Sequence, residues 1–273
     1  MAEYEDPKMQ EAPDDSEEFE LGHTDKLVGV FASPSETFTK LSNFPPKVID
    51  WFLPMFIVII VGVFANFVKM SNPAINYEIK QKQMEAQQKA LDEMVLGGKM
   101  TREQADQQIE ATSKFMDSPF LKVIAVAGGL IVGFIVFFIM AGIYHLILKF
   151  GLRGDGTYSY TLAAYGLVSY ILILQHILAT ILSLAAGKLY IDVSLASILG
   201  MSKGTALGFA LSYLDPVAIW FYVVLGIAFS KVFKSDNSKK YIIAVIAIWV
   251  GISLVFFLLA KMIPFFGNFI GMQ

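Results

Sequence analysis

The chain has 273 residues, of which 55% are hydrophobic and 16% charged, and its formal net charge at pH 7 is −3. Soluble domains carry about 25% charged residues, so this composition argues against an ordinary soluble protein. The chain has no cysteine, which excludes a disulfide framework, a thiolate metal site and a cysteine nucleophile.

Residues 1–26 differ sharply from the rest of the chain. They contain ten acidic side chains against Lys8 and Lys26. Such a segment has too few apolar residues to bury a core, so we predict a disordered acidic tail. The simpler interpretation is a solvated leader, and the alternative is a docking segment for a basic partner.

A short helix is predicted after the tail by the sequence Ser33-Pro34-Ser35-Glu36. Ser33 can cap the helix, Pro34 occupies a position that needs no donor, and Glu36 can reach back to the cap. The helix carries apolar residues on one face and lysines nearby, so we expect it to lie in the headgroup layer.

Five stretches without Asp, Glu, Lys or Arg indicate a membrane protein. About 20 apolar residues in a helix cross the ~30 Å hydrocarbon core. We therefore predict an all-α polytopic protein with a five-helix transmembrane bundle. The predicted spans are about 50–69, 123–148, 158–186, 207–230 and 241–260.

The segment before the fourth span is less regular. Asp192 and Lys203 interrupt an apolar run, and a charge at the bilayer centre costs about 2.5–3.5 kcal/mol. We therefore expect an interfacial or re-entrant segment over residues 187–215. Asp215 and Pro216 have the pattern of a helix cap and first turn. The fourth span reaches the length of a membrane crossing only if it also includes residues 207–214 and therefore Asp215.

An extramembrane helical hairpin is predicted between spans one and two, over residues 70–118. Its composition favours two helices separated by Gly97-Gly98, and Thr101 and Gln104 form a capping-box pattern for the second. Narrow apolar stripes on both helices suggest a short antiparallel coiled coil. Residues 69–122 hold eight basic and eight acidic side chains, which argues against a nucleic-acid site. Its role is either self-association or partner docking, or that of a solvated spacer, and the sequence leaves both open.

The basic residues in the short loops predict the orientation of the protein in the membrane. With five spans, the N-terminal flank and residues 149–156 and 231–240 share one side and hold most of the loop lysines and arginines. The positive-inside rule then places the N-terminus in the cytoplasm and the C-terminus outside.

Few ionisable groups lie at the predicted membrane depth, namely His145, His176 and Asp215. The role of a helix cap accounts for Asp215. The two histidines differ in depth by roughly 20 Å, so they cannot share a zinc ion, whose ligands each lie ~2 Å away. His176 is left as a possible intramembrane polar site. We identify no catalytic, cofactor or metal residues and predict that the protein is not an enzyme.

Three segments resemble the Yip family of multi-pass membrane proteins, in its bacterial branch. They are VFASPSETFTKL at 30–41, GDGTYSYTLAAYGLVSY at 154–170 and LDPVAIWFYVVLGIAFSKV at 214–232. The resemblance covers residues 27–262, with the hairpin as an insertion, and 263–273 is a short C-terminal tail. It implies five helices, a cytoplasmic N-terminus and no enzymatic activity. Its motifs contain the structural candidates Ser33, Pro34, Glu36, Tyr165, Gly166, Asp215 and Pro216.

The expected function is that of a non-enzymatic scaffold or accessory subunit of a membrane complex in the bacterial cytoplasmic membrane. Its expected partners are the lipid bilayer and other membrane proteins or a second copy, with no nucleic acid and no cofactor. One alternative is a transporter or permease subunit with His176 on the path. Another is a GTPase-binding trafficking factor like the eukaryotic relatives, although their Asp-Leu-Tyr-Gly-Pro motif is absent from this chain.

Overall fold

The computed structural model describes residues 20–115 and 118–263. Over these residues the chain is helical, with one π-helical turn at Ile147–Gly151 and no strand. The predicted acidic tail falls largely, and the C-terminal tail almost entirely, outside the described residues. The helices are α1 His23–Ala32, α2 Pro34–Ser42, α3 Ile49–Met70, α4 Pro73–Leu96, α5 Arg102–Phe115, α6 Pro119–Leu146, α7 Tyr158–Val168, α8 Ile171–Ala186, α9 Leu195–Ile198, α10 Ala206–Leu211, α11 Pro216–Val232 and α12 Ser238–Met262.

Four helical segments of the described chain are long and apolar enough to cross a membrane: Ile49–Met70, Val126–Gly151, Tyr158–Ala186 and Ser238–Met262. The third combines α7 and α8, which meet at a bend where Ser169 Oγ donates a hydrogen bond of 2.7 Å to the Tyr165 carbonyl. A hydroxyl that bonds back to the preceding turn often bends a helix. These segments make the protein a helical, multi-pass membrane protein.

The region predicted as one span over 207–230 is divided in the structure. α10 ends at Leu211 and α11 begins only at Pro216, because proline has no N–H to continue a helix and Asp215 caps the new one. α11 has 17 residues, a length of about 26 Å, which is shorter than the ~30 Å core.

The N-terminal helices pack against the membrane domain. α1 begins at His23, inside the segment 1–26 that we predicted to be disordered. On α2, Phe38 and Leu41 are buried against the core that includes α11. The apolar face of α2 therefore contacts protein, whereas its location at the level of the headgroups stays a prediction.

α11 lies at the centre of the packing and contacts α2, α7, α8 and α12. α11 approaches α12 closely at Gly226, where an added Cβ would lie only 2.4 Å from the Ile242 Cα. Only glycine allows α11 and α12 to approach so closely. The buried core of this region includes Leu167, Leu225, Phe229 and Val245.

α4 and α5 form the longest described segment between two spans. The side chain of Gln87 donates a hydrogen bond of 2.8 Å to Thr112 Oγ1, and Leu91 and Ala105 are buried. The Thr101–Gln104 capping box is formed in both directions, at 3.0 and 3.2 Å.

Candidate functional site

The first polar group of the membrane domain joins α1 to the start of α3. Lys26 Nζ lies 2.9 Å from Asp50 Oδ1, and both residues are buried. The other oxygen, Asp50 Oδ2, accepts a hydrogen bond of 3.0 Å from the Lys47 N–H. A buried charge without a partner is strongly destabilising, so the two side chains fix how α1 docks on α3. No local sequence pattern indicates this pair, because its members belong to different helices.

Two further contacts near the Lys26–Asp50 pair join the N-terminal segment to the rest of the protein. Glu20 accepts a hydrogen bond of 2.8 Å from Lys47, and that bond lowers the pKa of Glu20. His23 Nε2 lies 2.8 Å from the Tyr170 hydroxyl, and burial lowers the pKa of His23. The assignment of His23 to a disordered tail is thus wrong, since the residue contacts the bend between α7 and α8.

The Ser33, Pro34 and Glu36 group starts α2 in a different way from the prediction. Pro34 is the first residue of α2, but the side chain of Ser33 makes no capping hydrogen bond. Ser33 also ends α1, since its N–H donates to the Gly29 carbonyl at 2.9 Å, and this double role fixes its backbone. Glu36 forms an ion pair of 2.9 Å with Lys40. The predicted capping box is therefore wrong.

Tyr165 and Gly166 lie where α7 meets α3 and α6. The Tyr165 ring stacks on Phe137 with centroids 5.0 Å apart. At Gly166 an added Cβ would lie 2.4 Å from the Trp51 Cα. Both residues therefore serve close helix packing, with the aromatic ring filling the space beside the glycine contact.

Asp215 is buried at the start of α11. Its Oδ1 accepts hydrogen bonds of 3.0 Å from the N–H groups of Val217 and Ala218, with Pro216 as the first helical residue. Its Oδ2 accepts a third hydrogen bond of 2.7 Å from Gln175 on α8. Three donors thus satisfy a carboxylate that would otherwise be costly at this depth, and the Gln175 contact was not predicted.

The histidines of the spans lie apart from each other. His145 Nδ1 is 3.1 Å from Thr161 Oγ1, whereas His176 on α8 faces α3, where a Cβ at Gly62 would lie 3.1 Å from its Nε2. Among the described residues no three His, Cys, Asp or Glu side chains are arranged to hold a metal ion.

Asp192 and Lys203, which interrupt the apolar run before α10, form an ion pair. Asp192 Oδ1 also accepts a hydrogen bond of 2.7 Å from Ser194 Oγ and another from Ser197 Oγ. Burial acts to raise the pKa of Asp192, but the hydrogen bonds from Lys203, Ser197 and Ser194 outweigh it and lower the pKa below its usual value. Opposite charges within one apolar stretch were a sequence signal for this pairing.

These features define a helical, multi-pass membrane protein whose buried polar side chains are hydrogen-bonded to backbone groups or to other side chains. A family model for the Yip1 domain matches residues 28–260, so the chain belongs to the Yip1 domain family. The match begins in α1 and ends in α12, which confirms the resemblance to this family. No curated protein and no solved structure matches the chain.

Proposed function

We propose that the chain is a non-enzymatic integral membrane protein that acts as a scaffold or accessory subunit of a membrane complex. The observation that carries the proposal is the set of large apolar side chains that α4 exposes outside the spans. Tyr77 is 67% exposed, Met84 44% and Leu96 88%. Exposed apolar patches on a protein surface mark sites of contact with other proteins or with a membrane.

Tyr77 and Met84 lie seven residues apart and therefore share one face of α4. Farther along the same face, Leu91 is buried, and the contacts of Gln87 with Thr112 and of Asp92 with Arg102 show that α4 meets α5 over that part. A helical partner could continue this packing along the exposed part of the stripe. The balanced charge of the segment favours a protein partner, either another membrane protein or a second copy, over nucleic acid.

The proposed topology has five spans, with the short helix α11 as the fourth in chain order and α4 and α5 as an extramembrane hairpin. Two contacts support the placement of the basic loops on the same side of the membrane. The Asp155 N–H donates to the Phe233 carbonyl at 3.3 Å, and the Tyr160 hydroxyl donates to the Phe44 carbonyl at 3.1 Å. The positive-inside rule makes that side cytoplasmic, in the cytoplasmic membrane of a bacterium.

Site-specific crosslinking tests the proposal. A photoreactive amino acid replaces Tyr77 or Met84 in separate variants, and the full chain is crosslinked in cells, purified in mild detergent and analysed by mass spectrometry. We expect a discrete crosslinked product from both positions. Gln83, on another face of the same helix, is the matched control and should crosslink weakly. Monomer alone from Tyr77 and Met84, or equal products from all three positions, would contradict the scaffold role.

The transporter alternative depends on His176 and has its own test. If His176 lines a path, His176→Leu abolishes any transport phenotype of the gene. We expect the variant to be nearly silent, because His176 packs against Gly62 on α3. Loss of transport with normal membrane levels of the protein would favour the transporter.

A further inference from the structure

An apolar groove of about 490 Å³ runs along the outer face of α12. Ile147 at the end of α6 closes one side, and Ala244, Ala247, Gly251 and Val255 on α12 form much of its floor. Ala244, Ala247 and Gly251 are small and leave room for the groove between larger lining residues, and at Gly251 an added Cβ would meet no atom within 4 Å. Its volume lies in the range of ligand sites, ~300–1,000 Å³.

The groove has the length of a lipid chain in one leaflet. The stretch of α12 from Ala244 to Phe256 lines it and rises about 18 Å. Half of a ~30 Å hydrocarbon core is ~15 Å. Since α12 is one of the membrane-spanning segments, the groove opens directly to the acyl chains of the bilayer.

Basic residues lie at one end of the groove. Lys240 precedes Ala244 by one turn and so lies on the same face of α12. Its Nζ donates to the Leu152 carbonyl at 3.3 Å, which brings α12 beside the turn that carries Arg153. The adjoining loops, residues 149–156 and 231–240, hold six basic side chains against Asp155 and Asp236. This end of the groove therefore has a net positive charge at the level of the headgroups.

We propose that the groove binds one anionic phospholipid, with an acyl chain along α12 and the phosphate at Lys240 and Arg153. The combination of an apolar groove and a basic rim matches the two halves of such a lipid. A second copy of the chain fits less well. In a dimer with its two-fold axis along the membrane normal, the Lys240 side chains of both copies would face each other at the same depth and repel.

Native mass spectrometry of the full chain in detergent tests the site. The probes are dioleoylphosphatidylglycerol, which is anionic, and dioleoylphosphatidylcholine, which has no net charge. We expect one phosphatidylglycerol per chain, bound more tightly than phosphatidylcholine. Lys240→Gln should weaken phosphatidylglycerol binding about five-fold and remove most of the preference. Gly251→Leu should weaken binding of both lipids, because its side chain fills the groove.

Matched variants separate the site from general effects. Lys261→Gln makes the same change at the other end of α12, and Gly129→Leu makes the same change at an open position of α6; neither should alter lipid binding. Ala247→Leu repeats the groove filling if Gly251→Leu does not fold. Equal binding of both lipids, or equal loss with Lys240→Gln and Lys261→Gln, would overturn the proposal. So would a wild-type dimer that Gly251→Leu converts to a monomer, since the groove would then hold a second copy.

Discussion

At the scale of single residues, the ion pair of Lys26 and Asp50 is the contact with the largest expected effect. Lys26→Met leaves the carboxylate buried without its cation, and breaking such a pair costs about 3–5 kcal/mol. We expect a large drop in the unfolding midpoint in detergent, followed by circular dichroism. The double variant Lys26→Met/Asp50→Asn removes both charges and should recover much of the loss.

The surface pair of Glu36 and Lys40 provides the control for this prediction. The Lys40 side chain is 42% exposed and the Glu36 side chain 65%, and ion pairs at the surface contribute only about 0–1 kcal/mol. Lys40→Met should therefore leave the unfolding midpoint nearly unchanged. If Lys26→Met behaves like Lys40→Met, the buried pair does not anchor α1 to α3.

A second residue-scale prediction concerns Gly166. In Gly166→Ala the new Cβ meets the Trp51 backbone, so α3 and α7 must separate, and overpacking of this kind costs about 1–3 kcal/mol. Gly128→Ala is the matched control, because an added Cβ there meets nothing within 4 Å. We expect a lower unfolding midpoint for Gly166→Ala alone. An equal response of both variants would show that helix contact at Gly166 is not tight.

At the scale of elements, we expect residues 187–205 to lose stability when Asp192 is protonated, because Asp192 bonds to Ser194, Ser197 and Lys203. Its folded pKa is lowered from the ordinary value of 3.8, so its contribution to stability is complete above that value and is lost as the pH falls through the folded pKa. We expect hydrogen exchange in peptides from this loop, corrected for intrinsic rates, to be constant from pH 7 to pH 5 and to rise below about pH 4.

Two variants check the origin of this acid response. Lys203→Gln removes the cation that lowers the pKa of Asp192, so the loop should open at a higher pH. Asp192→Asn cannot titrate and should make exchange in the loop independent of pH over the same range. Exchange in α11 serves as the internal control. Wild-type exchange that does not change with pH would exclude Asp192 as the group that holds the loop.

The elements also show what the sequence alone can predict. Runs without charge indicated the membrane segments, because an unpaired charge is expensive in the bilayer core. The break before α11 was visible as Asp215-Pro216, but the length requirement of a span led us to extend the predicted fourth span back to residue 207, and the structure divides that stretch between α10 and α11.

Contacts between distant segments could not be predicted. Nothing near Lys26 in the sequence indicates that it pairs with Asp50, and nothing near Gln175 indicates Asp215. The packing of α2 against α11 could not be predicted for the same reason: an amphipathic pattern shows that one face is buried, but it does not show whether lipid or protein covers Phe38 and Leu41. The proposed partner of the exposed face of α4 cannot be identified from the sequence for the same reason, because its residues are not part of this chain.

At the scale of the whole molecule, the side of the membrane on which α4 and α5 lie determines which partners they can meet. The chain has no cysteine, so single cysteines report on sidedness directly. Gly98 would be a poor probe position, because its φ of +68° is strained for any other residue. Lys99 is exposed beside it and avoids this problem.

We predict that Lys99→Cys reacts with an impermeant maleimide in intact cells, whereas Asp236→Cys reacts only after the cells are permeabilised. The physical reason is the excess of basic residues in the loops that include Asp236, which retains those loops in the cytoplasm. Labelling is measured as a mass shift on a gel, with the cysteine-free wild type as the blank. The reverse pattern would place α4 and α5 in the cytoplasm. Labelling of both positions from outside would mean that the number of spans is not five, with residues 187–215 crossing the membrane or α11 failing to cross it.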